Sequence, residues 1–211
     1  MKTLLRTFVF VMALVPLLAL GADDPAKVIS AFQTKYSAIN DVAVTFTMQT
    51  GEGKFTSLPL TGTLTMTKGN KFRVELDGQT VVSDGVTLWT YTEQNKQLLV
   101  DVYDNDPSVL TPDKVLSVLP SEYTIEVIGV ANVKELATSV LKMTAKDKNA
   151  TIKEMTVWVD DTESLMRKVQ VTDGGGNILT YTIDAIKINT TPSENTFKFS
   201  KPSGAQTVDL R

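Results

Sequence analysis

The sequence predicts a mainly β domain of about ten or eleven antiparallel strands, preceded by one helix and interrupted by one short helical segment. Three observations carry that prediction. Apolar and polar residues alternate with a period of two over most of the chain beyond residue 41, the pattern of half-buried strands. Turn sequences rich in Gly, Asn and Asp separate the alternating runs. An Asp-Pro pair opens the one long stretch that repeats with helical period.

The first 22 residues stand apart from the domain. Lys2 and Arg6 form a basic head, Thr7 to Leu20 is uncharged and mostly apolar, and the small residues Ala19, Gly21 and Ala22 follow. That is the plan of a cleaved secretory signal, and the apolar run is shorter than the roughly 20 residues a membrane span needs. A retained N-terminal anchor is the other reading of such a segment. Residues 1–22 are therefore expected to be a signal peptide, cleaved after Gly21 or Ala22, and 23–211 a single domain. The chain has no Cys, so no thiol is expected to receive a lipid anchor at the cleavage point.

The elements follow in order. Asp24 is placed to cap a helix that begins at Pro25, with Val28, Phe32, Tyr36 and Ile39 on one apolar stripe. Val42, Val44, Phe46 and Met48 then alternate with polar or small residues. Leu58, Leu60, Leu64 and Met66 do the same, as do Phe72, Val74 and Leu76. Turns are expected at Gly51-Glu52-Gly53, Lys68-Gly69-Asn70, Asp77-Gly78 and Asp84-Gly85, and the meander continues through 88–91 and 97–103. The alternation stops at Asp104. Thr111-Pro112-Asp113 reads as a second helix start, with Val115, Leu116 and Leu119 on one face. Strands resume over 123–128, 139–145, 151–160, 165–172 and 178–189, and Phe197 and Phe199 are expected in a last short strand.

A sheet of this many strands is expected to curl into a barrel or split into a sandwich. Its inward residues are Phe, Met, Leu, Val and Trp, which suits either a filled core or an apolar cavity covered by the 104–119 segment. Met48, Met66, Met143 and Met155 suit an adaptable lining as well as they suit core filler. Without the signal, 19 basic residues face 24 acidic ones, a net charge of −5, which argues against nucleic acid as a partner. The absence of His and Cys excludes a Ser-His-Asp triad, a Cys-His pair and any His-ligated metal. Asp160, Asp161 and Asp173 read as turn residues. Asp101, Asp104 and Asp106 are loosely calcium-like, without the central Gly and closing Glu of such a loop.

Four stretches in order carry a resemblance: LTMTKGNKFRVEL (64–76), VVSDGVTLWTY (81–91), EMTVWVDDTESLMRKVQVTDGGGNILTYTI (154–183) and NTFKFSKPSGAQTVD (195–209). Together they resemble the periplasmic outer-membrane lipoprotein carrier family, LolA, over nearly the whole chain after the signal. The resemblance implies an incomplete antiparallel β-barrel of about eleven strands, with an N-terminal helix and a short helical lid over an apolar cavity. It implies a monomeric periplasmic chaperone without cofactor, metal or catalytic activity. Its partners would be acylated lipoproteins, an inner-membrane ATP-driven release complex and an outer-membrane acceptor. A lipid- or glycolipid-binding paralogue, or a lipoprotein-sensing module, is the alternative on the same fold.

The residues expected to line the cavity are Phe46, Met48, Leu64, Met66, Phe72, Trp89 and Trp158, with Leu116 and Leu119 from the lid. Phe72 matches the Phe that lies near the cavity mouth in the family. Lys68-Gly69 stands where the family keeps a basic residue followed by Pro, so the resemblance implies that Lys68 latches the lid. As a residue type Lys68 equally suits a solvated turn.

Overall fold

The structure is a computed structural model and describes residues 24–51, 56–103, 120–150, 152–172 and 176–211. Helix α1 covers Pro25–Ser37. Asp24 caps it as the sequence predicts, its carboxylate accepting from the Ala26 N–H at 3.1 Å, and Pro25 occupies the first turn, where no intrahelical N–H is needed.

Twelve strands follow: β1 (Asp41–Thr50), β2 (Leu60–Thr67), β3 (Lys71–Leu76), β4 (Gln79–Asp84), β5 (Thr87–Thr92), β6 (Gln97–Val102), β7 (Tyr123–Val133), β8 (Leu136–Ala145), β9 (Glu154–Asp160), β10 (Met166–Thr172), β11 (Ile178–Ile188) and β12 (Gln206–Asp209). They form one sheet in the order β12-β6-β5-β4-β3-β2-β1-β11-β10-β9-β8-β7. Among the described residues both ends of that order are free edges, so the sheet is open. Each of these pairings is antiparallel except that of β12, which lies parallel to β6.

Strand β1 is the seam. It pairs with β2 on one side and with β11 on the other, joining the meander β2–β6 to the meander β7–β11. Val44, Phe46, Leu64 and Val74 from one wing meet Leu141, Met143, Val157 and Val169 from the other in one buried cluster. Residues so far apart in the strand order can touch only if the sheet curls around them. Helix α1 lies inside that curl. It packs against β7 and the short 3-10 turn Pro120–Glu122, contributes the fully buried Phe32, and carries Tyr36, whose hydroxyl accepts from the Met166 N–H at 3.1 Å.

Buried carboxylates hold two of the turns. Asp41 accepts from the Thr190 N–H (2.7 Å), the Thr190 hydroxyl (2.9 Å) and the Thr191 N–H (3.1 Å), pinning the start of β1 to the end of β11. Asp160 accepts from the N–H groups of Thr162 and Glu163 and from the Arg167 guanidinium, closing the β9–β10 turn. Burial opposes ionisation of both. The hydrogen bonds outweigh it, and both carboxyls sit below their ordinary value.

The Ser83-Asp84-Gly85 turn is braced against the β2–β3 turn. Ser83 donates to the Asn70 carbonyl at 2.8 Å and accepts from the Gly85 N–H at 3.1 Å, while Asp84 accepts from the N–H groups of Val86 and Thr87. Gly85 has φ of +95°, and a Cβ there would lie 2.6 Å from the Gly69 carbonyl oxygen.

Two expectations are corrected. Phe197 lies in a 3-10 turn, Glu194–Phe197, capped by Ser193, and not in a strand; the last strand is β12. The hairpin of β7 and β8 is also longer than its alternation suggests. A bulge between Val127 and Gly129 breaks the period, and the turn is made by Lys134, a non-glycine residue with φ of +56°.

Two outcomes are expected. Gly85→Ala should lower stability by about 2 kcal/mol, from left-handed strain together with the carbonyl contact, read as the urea midpoint. Asp41 and Asp160 have folded pKa values below the unfolded value of 3.8. Their contribution is therefore complete above about pH 4 and lost as pH falls through the folded pKa. Asp41→Asn and Asp160→Asn should each lower stability near neutrality and make the loss below pH 4 less steep. Unfolding curves across pH would show both effects.

Candidate functional site

The concave face carries the main apolar cluster and is the candidate site. Residues paired directly across strands share a face, so register assigns each side chain. Val44 pairs with Leu64, which pairs with Val74; Val42 pairs with Met66, which pairs with Phe72. Across the seam, Phe46 pairs with Ile183 and Met48 with Tyr181. Phe46, Met48, Leu64, Met66 and Phe72 therefore share the concave face, as the alternation predicts. Phe46, Leu64 and Phe72 are buried, and Met48 and Met66 are half-buried.

The aromatic rings are packed edge to face. Phe46 meets Tyr181 with ring centres 5.7 Å apart, and Phe72 meets Tyr103 at 5.9 Å. The Phe46 ring needs Gly62 beside it: a Cβ on Gly62 would come within 2.6 Å of the ring and 2.9 Å of the Glu75 carbonyl oxygen. Such a glycine within a strand marks close approach, here of an aromatic ring.

The two tryptophans point the other way, and this corrects the expectation. Leu88 packs on the concave cluster, so Trp89, the next residue in β5, faces outward. It pairs with Val82 and Val100 and stacks on Phe199 at 6.5 Å between ring centres. Val157 and Val159 take the concave side of β9, which turns Trp158 out, where the Lys168 ammonium sits 4.3 Å from the ring centre. Leu116 and Leu119, with the expected lid over 104–119, lie outside the described residues.

Lys68 is engaged at the rim. Its ammonium donates to the Asn40 side-chain oxygen at 2.8 Å and its N–H to the Asn40 carbonyl at 3.2 Å, tying the β2–β3 turn to the α1–β1 connection. The segment it is expected to latch falls in 104–119. Gly69 has φ of +86°, which proline cannot adopt.

On the other wing, sequence reasoning offered Met143 and Met155 as lining but missed Leu141, Val157, Val169 and Tyr181. Leu141, Met143, Met155, Val157, Val169 and Tyr181 complete the concave cluster. Their signal was present, because Leu141 and Met143 alternate with Val140 and Lys142. Enclosure pushes the Tyr36 hydroxyl above its ordinary value, and burial, followed by the nearby Glu122 charge, pushes Tyr123 up to about 12. Among the described residues there is no group of carboxylates fit to hold a metal ion; Asp104 and Asp106 lie outside them, and Asp160 and Asp161 act in a turn and on Ser139. No helix of the described residues is long and apolar enough to cross a membrane. A cleft of ≈ 480 Å³ with a mixed lining opens on the convex side beside Thr61, Thr63, Glu75 and Tyr91.

These features define a class: an open, curled antiparallel sheet whose concave face is its principal apolar surface. The chain belongs to the outer membrane lipoprotein carrier protein family, LolA, whose profile matches residues 37–200. No curated protein matches it. Among solved structures, an uncharacterised conserved protein of Thermus thermophilus is similar, at 14% identity and a TM-score of 0.54, covering 87% of this chain and 98% of its own. A LolA superfamily protein of Nitrosomonas europaea is similar at 11% identity and a TM-score of 0.45, covering 84% and 99%. LprF of Mycobacterium bovis is similar at 11% identity and 0.46, covering 85% and 96%.

The facing of the tryptophans is testable by binding. Trp89→Phe and Trp158→Phe should each leave the affinity for an apolar fluorescent dye unchanged within about twofold, because neither ring reaches the concave face. A loss of tenfold, about 1.4 kcal/mol, would contradict that assignment.

Proposed function

We propose that the protein is a non-enzymatic periplasmic carrier that shields the acyl chains of lipoproteins on its concave face. In this reading it takes cargo from an inner-membrane ATP-driven release complex and delivers it to an outer-membrane acceptor, working as a monomer. The observation that supports this most is the single apolar face shared by Phe46, Met48, Leu64, Met66 and Phe72 in a sheet that remains open. Membership of the carrier family agrees with it, as do the signal-like residues 1–22. Each buried CH₂ of an acyl chain is worth about 0.8 kcal/mol, so a chain of about fifteen methylenes stands to lose roughly 12 kcal/mol if released into water. A lipidated protein crosses an aqueous compartment only under cover.

The half-buried methionines are the natural place for that contact. Phe46 and Leu64 are fully enclosed, so their substitution would disturb the core before it disturbed a ligand. Met48 and Met66 are flexible, polarisable and only partly covered.

Protein isolated gently from the periplasm should carry acylated lipoprotein, identified by mass spectrometry. A lipid or glycolipid recovered in its place, with no lipoprotein, would overturn the carrier reading in favour of the paralogue. Met66→Glu should reduce the lipoprotein retained by about tenfold or more while the far-UV circular dichroism stays that of the parent, since a charge on the apolar face must be desolvated when cargo binds.

A further inference from the structure

The concave face is not apolar throughout. On β3 its residues are Phe72, Val74 and Leu76. Pairing carries the same face onto Ser83, Val81 and Gln79 of β4, then Leu88, Thr90 and Thr92 of β5, then Asp101, Leu99 and Gln97 of β6. The wall therefore passes from wholly apolar to mostly polar within three strands. Thr90, Thr92, Gln97 and Asp101 are all half-buried. Ser83 is already committed to Asn70 and Gly85.

Composition does not force this. The same strands hold Val82, Trp89, Leu98 and Val100, and register turns all four to the convex side. There Val82, Leu98 and Val100 are 0%, 3% and 6% exposed, and Phe197 and Ala205 of the C-terminal segment are buried with them. A slip of one residue would have made the inner wall apolar. Instead the C-terminal segment, secured by β12 on β6, accompanies a dry outer side and a polar inner one.

We infer that the β5–β6 wing receives the hydrophilic head of an acylated ligand: the ester- and amide-linked glyceryl-cysteinyl group that joins the acyl chains to a polypeptide. This rests on the carrier reading. Thr90, Thr92 and Gln97 both donate and accept, which suits a head that presents carbonyl acceptors and amide donors. Against the β1–β3 wall those groups would be buried without partners, at a cost. Among the described residues the wing lies next to β12, the last strand of the sheet, so a polypeptide leaving the head on that side would not cross the apolar cluster.

The test compares two ligands on the full chain: a synthetic dipalmitoylglyceryl-cysteinyl peptide and the headless dye N-phenylnaphthylamine. Thr90→Val/Thr92→Val keeps shape and strand propensity while removing both hydroxyls. Its Kd for the acylated peptide should rise about fivefold for each hydrogen bond lost, with dye affinity and thermal midpoint unchanged. Peptide binding equal to the parent's, or equal weakening of peptide and dye, would overturn the assignment of the head while leaving the carrier reading in place. A parent protein that binds the dye but not the peptide would sink the carrier reading, and this inference with it.

Discussion

The pairing of β1 with β11 is the constraint on which the rest of the structure depends. Without that pairing the chain is two separate meanders, and the concave apolar face of each loses the other as its cover. The pairing brings residues 42–50 onto residues 179–188 and makes one curled wall from two. Loop-closure entropy opposes a contact so distant in sequence, and its register must be held because a slip of one residue would turn Phe46 and Met48 outward. Asp41 supplies the stop. Its buried carboxylate takes three hydrogen bonds from Thr190 and Thr191 at the end of the seam, so the two strands align in one way. The bulge between Thr45 and Phe46 then shifts the pairing once and leaves Phe46 and Ile183 facing inward together.

How much of this the sequence reveals depends on whether local chemistry sets the facing. In β1 to β3 it does. Each strand is a clean alternation bounded by turn residues, so Phe46, Met48, Leu64, Met66 and Phe72 could be placed on one face without a structure. Helix α1 was equally plain, because Asp24 and Pro25 mark its start. In β5, β6 and β9 local chemistry does not settle it. Leu88-Trp89 and Leu98-Leu99-Val100 are runs without phase, and Trp89 and Trp158 attract assignment to the interior by size alone. Trp89 is turned out by its pairing and stacks on Phe199, a residue more than a hundred positions away. Trp158 pairs across β9–β10 with Lys168, and its ring is capped by an ammonium that a hydrophobicity pattern reads as solvent-facing. The C-terminal segment failed for the same reason. Phe197-Lys198-Phe199 looks like a strand, yet its rings serve the outside of β4–β6.

That outer packing bears on how a carrier solves its central difficulty, which is to hold cargo and still release it. A uniformly apolar concave face would keep gaining contact with every methylene and would treat head and chain alike. Turning the apolar side of β5–β6 outward limits the inner apolar area without removing hydrophobic residues from the domain, so the stability they confer is retained on the convex side. In the carrier reading proposed above, the sheet separates two requirements that usually compete: apolar area for folding and apolar area for binding. Phe197 and Ala205, buried outside the concave cluster, would belong to the first and Met48 and Met66 to the second, with strand register deciding which residues serve each.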